Sequence, residues 1–251
     1  MLHSKRAGAL AALMLAALLF ISLPISAEGV IGTDLSGFSS VTFSGEPIDG
    51  SVFSSSELTV INIWQRWCGP CWSEMPAFQQ LHEHYSETPG ADVFVLGALY
   101  YGSDPSQVPQ AIEFCLEHGY TWEQMVMCPE LLFVASDGEP ENEYFHIPQT
   151  LIVDRYGCLR ERIVGSIADH DELFALVSGW LDTLRGEYAA EAGDVDSNGA
   201  VDVIDALLAM RHAMGVIALE PGQRLRGDMD GDGAVTVSDA IIIMRITMGV
   251  H

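Results

Sequence analysis

Basic residues are scarce in this chain of 251 residues: 11 lysines and arginines stand against 35 aspartates and glutamates, a formal net charge of −24 at pH 7. That balance excludes nucleic acid as a natural partner, because a phosphate backbone is held by clustered cations. Long apolar runs are equally few. Only Ala9 to Leu23 is almost wholly apolar; it follows Lys5 and Arg6 and precedes Pro24-Ile25-Ser26-Ala27, the layout of an export signal cleaved after Ala27. No other stretch is long and apolar enough to span a bilayer, so a membrane is a partner only if this segment stays uncleaved. Residues 1–27 hold two bases and no acid, which leaves nine bases against 35 acids, or −26, in the mature chain. Much of that acidity is concentrated in two short stretches near the C-terminal end, and the rest suits a solvated, exported surface.

Cysteine is sparse as well, with five in all, and a single pair, Cys68 and Cys71, has the C-x-x-C spacing. A zinc knuckle would need a second such pair, and there is none. Cys115 lies in a helical pattern, Cys128 near a strand end and Cys158 in a Tyr156-Gly157 turn; single buried thiols are expected for all three, with a Cys115–Cys128 bridge left open. His82, His84, His118, His146 and His170 show no metal spacing and read as surface or capping groups.

What the chain does contain is alternation of strand and helix. Leu58 to Trp64 is a β-branched, apolar run that predicts a buried strand, and Pro70 with Glu74, Met75, Phe78 and Leu81 at helical spacing predicts a helix over 70–87. Val93 to Tyr101, Gln149 to Asp154 and Leu159 to Val164 read as further strands, and the second half of the pattern begins with Trp122 to Cys128. Phe38 to Ile48 reads as an entry hairpin, and Asp104 to Gly119 and Asp169 to Leu184 as helices. Parallel strands need such crossovers, so the pattern predicts an α/β sheet, here a four-strand core with flanking helices. Asp137 to Glu143 is an acidic, broken loop, and Trp64 and Trp67 read as packing residues, Trp67 at the rim of the site.

Cys68 falls where the helix begins, beside unpaired N–H groups and the positive dipole end, an environment that favours the nucleophilic thiolate. Cys71, one turn further in, is placed to attack a mixed disulfide formed at Cys68. Trp67-Cys68-Gly69-Pro70-Cys71 resembles the active-site pentapeptide of the thioredoxin superfamily, and its extension through Glu74-Met75-Pro76 resembles the secreted TlpA/ResA-like thiol-disulfide oxidoreductases. The resemblance implies an α/β thioredoxin-like fold with a central mixed sheet, protein thiols and disulfides as substrates, and no organic cofactor. It implies a cis proline facing the cysteines at Pro148, and a glutamate at Glu74 that tunes the pair or moves protons. A surface carboxylate is the alternative for Glu74. A peroxidase resembling peroxiredoxins would carry threonine where Gln65 stands, and a permanently oxidised, non-catalytic disulfide is the other alternative.

After Arg185 to Glu191, read as a polar linker, comes a repeat at an offset of 34: Gly193 to Asp205 recurs as Gly227 to Asp239. Each copy carries oxygen ligands at positions 1, 3, 5 and 12 and glycine at position 6, an EF-hand arrangement for a hard cation. The ligands are Asp194, Asp196, Asn198, the Ala200 carbonyl, Asp202 through water and Asp205 in one loop. They are Asp228, Asp230, Asp232, the Ala234 carbonyl, Thr236 through water and Asp239 in the other. Aspartate closes both loops and no convincing helix enters the first. In this respect residues 193–251 resemble type I dockerins, small all-α modules with two calcium ions that attach enzymes to the cohesin domains of a scaffoldin. By that resemblance Val203, Ile204, Met210, Arg211, Val237, Ser238, Met244 and Arg245 face cohesin, while Leu207, Ile242 and Ile246 are expected in the module's core. The expected organisation is a signal at 1–27, an oxidoreductase domain at 28–186, a linker at 187–192 and a dockerin at 193–251, exported and held on a cell-surface or extracellular scaffold.

Overall fold

Strand β3 (Leu58–Trp64) is buried at every residue, which requires cover on both faces of the sheet. It is the central strand of five in the order β5-β4-β3-β6-β7, seen in a computed structural model that describes residues 29–86, 92–141, 145–232 and 234–250. On one side β3 pairs parallel with β4 (Val93–Leu99), which pairs parallel with β5 (Glu123–Val126). On the other it pairs antiparallel with β6 (Gln149–Asp154), itself antiparallel to β7 (Leu159–Val164). Helix α1 (Gly69–Ser86) makes the first parallel crossover and α2 (Gln107–His118) the second. A short hairpin, β1 (Ser39–Val41) and β2 (Pro47–Asp49), precedes them.

The period-two alternation of β3 divides two cores. Leu58, Val60 and Trp64 pack with α1, α2 and α4 (His170–Glu191), whereas Ile61 and Ile63 pack with Leu35, Phe38 and α3 (Pro129–Ala135). The β6–β7 turn has no room for a side chain at its glycine. Gly157 has φ of 84°, and a side chain there would meet the Ser36 main chain at 2.8 Å.

Several expectations need correction. The sheet has five strands rather than four, because Glu123–Val126 joins its edge. Helix α2 starts at Gln107, not at Asp104, whose carboxylate instead accepts the N–H and hydroxyl of Ser106 in a turn before it. Residues 185–191, read as a linker, are the last turns of α4, so a helix does run up to the first acidic loop.

Beyond α4 come α5 (Val203–Ala213), α6 (Pro221–Gly227) and α7 (Val237–Thr247). Their core is small: Val195, Ala206, Ala209, Leu219, Val235, Ala240 and Ile243. Leu207 and Ile246, expected in that core, are exposed, at 50% and 39%. Alanines face inward at 206, 209 and 240, so α5 and α7 approach closely and leave the larger side chains outside. Residues 1–28, which include the whole export segment, and Glu143 lie outside the described residues.

Candidate functional site

Cys68 and Cys71 form a disulfide at the first turn of α1, immediately beyond the C-terminal end of β3. The strand aims the chain at the sheet edge, and Pro70 suits a first helical turn because its missing N–H would have no intrahelical partner there. The backbone N–H of Cys71 donates to Cys68 Sγ at 3.1 Å, the interaction that would stabilise a thiolate at Cys68. The two sulfurs differ in access: Cys68 is 9% exposed and Cys71 has no exposure. Trp67 stands beside them and, at 64% exposed, is not the packing residue expected but lies open at the rim, while Trp64 is buried and donates its indole N–H to Gln124 Oε1 at 2.9 Å.

Beneath the pair lies Glu74, one turn along α1 and fully buried rather than on the surface. Asn62 Nδ2 donates to its Oε1 at 2.6 Å and the Ile167 N–H to its Oε2 at 2.9 Å. Burial pushes its carboxyl up to about 7, against the opposing pull of these hydrogen bonds. Asn62 and the 165–167 segment were not singled out in the sequence. A lone amide inside an otherwise apolar strand was the available signal for Asn62.

The Ile147–Pro148 bond is cis. Residues 165–167 tie this corner together: the Gly165 N–H donates to the Pro148 carbonyl at 3.0 Å, and the Ser166 hydroxyl to the Pro70 carbonyl at 3.2 Å. Ile147 packs against the core cluster that holds both cysteines. Sheet order, disulfide position and cis proline together make residues 29–191 a thioredoxin-like fold. Of the remaining thiols, Cys115 and Cys128 are free and buried, with no bridge between them, and Cys158 is free and half-buried. The metal-competent groups found among the described residues are two acidic clusters in the C-terminal part, neither of which includes a histidine.

Those clusters are Asp194, Asp196 and Asp205, and Asp228, Asp230 and Asp232; within each, carboxylate oxygens approach within 4.8 Å of one another. Main-chain N–H groups shape both loops. Asp194 accepts from Asn198 at 3.0 Å and Gly199 at 2.8 Å, and Asp205 from Asp196 at 3.0 Å and Asp202 at 2.8 Å. Asp228 accepts from Gly231 at 2.9 Å, and Asp239 from Met229 at 2.8 Å and Thr236 at 2.7 Å. Asn198 and Asp232 each hold the N–H at position 7, that of Ala200 and Ala234. Asp205 and Asp239 are fully buried and also close capping boxes on α5 and α7. Like charges this close repel strongly, and an all-oxygen donor set of this kind fits a hard cation. Gly233 lies outside the described residues.

Residues 192–246 match the family model for the dockerin type I domain. This stretch is a type I dockerin. The dockerin match implies calcium binding, in keeping with the donor set. Upstream of the dockerin, the thioredoxin-like protein YneN of Bacillus subtilis (strain 168) is 25% identical over 139 residues, 54% of this chain and 72% of that protein. A thiol:disulfide interchange protein of the thioredoxin family from Chlorobium tepidum TLS superposes with a TM-score of 0.49 at 23% identity, covering 60% of this chain and 97% of that one. The exposed lipoprotein thioredoxin Etrx1 from Streptococcus pneumoniae strain TIGR4 gives 0.46 at 16%, covering 57% and 98%. Among the described residues, no helix is long and apolar enough to cross a membrane.

Of the residues expected to face a dockerin partner, Val203, Ile204, Val237, Ser238 and Arg245 are exposed. Met210, Arg211 and Met244 are half-buried, the two methionines against the dockerin's own core.

Proposed function

We propose that the chain is an exported thiol-disulfide oxidoreductase, carried on a cohesin-bearing scaffold of the cellulosome type by its dockerin. The observation that carries this reading is the Cys68–Cys71 disulfide at the mouth of α1, with the access on Cys68 and a buried acid beneath whose carboxyl is pushed up to about 7.

In the reducing direction the Cys68 thiolate attacks one sulfur of a substrate disulfide, forming a mixed disulfide and expelling the other sulfur as a thiolate. Cys71 gives up its proton, for which Glu74 is the acceptor, and attacks Cys68 Sγ. The second substrate sulfur leaves, and the Cys68–Cys71 bond closes. Two electrons pass to the substrate, which becomes a dithiol. The reverse sequence oxidises a dithiol, and the relative potentials of partner and pair set the direction. Pro148 lines the corner where an extended substrate segment would lie. Among the described residues, no hydrogen bond engages the main chain of Ile147 beside it, leaving that backbone open to such a segment.

Two calcium ions, one per loop, fold the dockerin, and the exposed ends of α5 and α7 meet cohesin. Leu207 and Ile241, equivalent under the 34-residue offset, are both about half exposed and extend the Val203-Ile204 and Val237-Ser238 patches. This apolar pair of faces supports a docking role better than an internal one. Cys68→Ser should abolish reduction of insulin disulfides while leaving calcium-dependent capture by an immobilised cohesin unchanged. Undiminished reductase activity in that variant would remove the assignment.

A further inference from the structure

We propose that Arg66, held between Trp67 and Trp72, is a specificity residue of the redox site that selects protein segments carrying a carboxylate close to the disulfide being exchanged. The inference rests on the proposed reading of Cys68 and Cys71 as a catalytic couple and names a substrate class for it.

The first argument is electrostatic. Five arginines lie in residues 29–191, and four of them meet acids: Arg155 with Glu57, Arg160 with Asp154 and Glu187, Arg162 with Asp137, and Arg185 with Glu57 and Asp92. Arg66 has no ion pair or hydrogen bond to another described residue. In a chain of net charge −24 this is the one arginine of the fold, among the described residues, left without a carboxylate, and it lies two residues from Cys68.

The second argument is preorganisation. The Arg66 guanidinium carbon lies 4.5 Å from the centroid of the Trp67 ring and 6.0 Å from that of Trp72. Trp72 is itself fixed, stacked on Phe114 at 5.3 Å, and Phe114 is 9% exposed. A guanidinium stacked on indole keeps its charge and its hydrogen-bonding edge while losing little further freedom on binding. Trp67 and Trp72 are 64% and 40% exposed, while Arg66 between them is half-buried, with its Nε enclosed and without a hydrogen-bond partner that a bound carboxylate could supply.

Range then sets what is read. The net field of an acidic chain disfavours acidic partners, and one cation reverses it only locally, since salt screens beyond about 8 Å. Two residues of backbone separate Arg66 from Cys68 by at most about 7 Å, and an extended segment advances about 3.3 Å per residue. The arginine side chain adds a comparable reach, so the carboxylate recognised lies within about four residues of the substrate cysteine.

The test uses the full chain with calcium and two synthetic peptides, each closed by one disulfide, identical except that the residues flanking one cysteine are aspartate or asparagine. The ratio of kcat/KM, aspartate over asparagine, should be about 5 in the wild type, fall to about 1 in Arg66→Gln, lie between in Arg66→Lys and shrink in 0.5 M salt. Serine-for-cysteine versions of both peptides, titrated by tryptophan fluorescence, should show the same preference in Kd without any exchange chemistry. A wild-type ratio near 1, or a ratio that survives Arg66→Gln, overturns the proposal. Preferential binding of the acidic serine peptide without exchange of either disulfide would support the recognition site and refute the redox reading on its own.

Discussion

Asn62 Nδ2 donates to Glu74 Oε1 at 2.6 Å, bridging the central strand to the redox helix at a place where neither residue meets solvent. The relationship explains how an acid survives in the core. Two donors, Asn62 and the Ile167 N–H, stabilise the charged form, yet burial outweighs them and the carboxyl stands at about 7. A carboxyl at about 7 can both take up and release a proton near neutral pH.

A raised folded-state value favours the protonated form in the native protein. Its contribution is fully present below the unfolded value of 4.5 and is lost as pH rises through about 7. The oxidised wild type should therefore lose about 3 kcal/mol of stability between pH 4.5 and pH 8 relative to Glu74→Gln, as read from paired urea titrations. Glutamine fits the site because the Asn62 amide can turn, presenting its Oδ1, which has no protein partner, to the new NH2 group. Parallel pH dependence in the two proteins would show that Glu74 is not the group that titrates.

Thiol reactivity separates the five cysteines. Burial pushes Cys115 up to about 12 and Cys128 up to about 11, and also raises Cys158, which is half-buried. At pH 8 the oxidised native protein should leave Cys115 and Cys128 unmodified by a chromogenic disulfide reagent over minutes, with slow labelling confined to Cys158. Mild reduction should then add one fast-reacting thiol, Cys68. The variant Cys71→Ser should accumulate the mixed disulfide with substrate, because the resolving sulfur is gone. Fast labelling of Cys128 in the native oxidised protein would contradict the burial argument.

Much of this site was legible in the sequence, for local reasons. The β-branched run before a C-x-x-C, a proline in the first helical turn and oxygen donors at fixed loop spacing are short-range signals, and they placed Cys68, Cys71 and both acidic clusters. What escaped depends on packing between distant segments. Glu74 stayed ambiguous because helical position alone does not say whether the facing surface is solvent or sheet, and Asn62 and Ile167 supply that answer from 12 and 93 residues away. Leu207 and Ile246 were misplaced because a hydrophobic side chain at helical spacing suggests a core. Here alanines at 206, 209 and 240 take the inner face, so the larger residues are left outside. The last turns of α4 resemble a linker in sequence because a polar composition there suits a linker and an exposed helix end alike.

Gly97 illustrates a constraint invisible to periodicity. It pairs with Gln124 across β4 and β5, and a side chain there would meet Gln124 Oε1 at 1.9 Å. That oxygen accepts from the Trp64 indole at 2.9 Å, and both side chains are buried. Gly97→Ala must displace the amide, orphan the indole N–H and strain the centre of the sheet. The expected cost is about 2–4 kcal/mol in urea unfolding, with an altered Trp64 fluorescence spectrum in the native state. A loss below about 0.5 kcal/mol would show that Gln124 yields freely.

The dockerin offers the cleanest separation of packing from docking. Ile243 is fully buried in a small core, whereas Leu207 is 50% exposed on α5. Ile243→Ala in saturating calcium should cost the dockerin about 3 kcal/mol, since the cavity opens in a core with few residues to collapse into it. Leu207→Asp should change stability by less than about 0.5 kcal/mol, because the site is already hydrated. On an immobilised cohesin the order reverses. Leu207→Asp combined with Ile241→Asp places a charge at the centre of each apolar patch and should weaken capture at least about tenfold, while any Ile243→Ala molecule that remains folded should bind nearly as the wild type does. The 34-residue repeat adds a further condition. If cohesin can use either helix, Leu207→Asp alone leaves the α7 face, with Ile241, available, and the full loss appears only in the double variant with Ile241→Asp. Wild-type capture by that double variant would show that these faces do not meet cohesin.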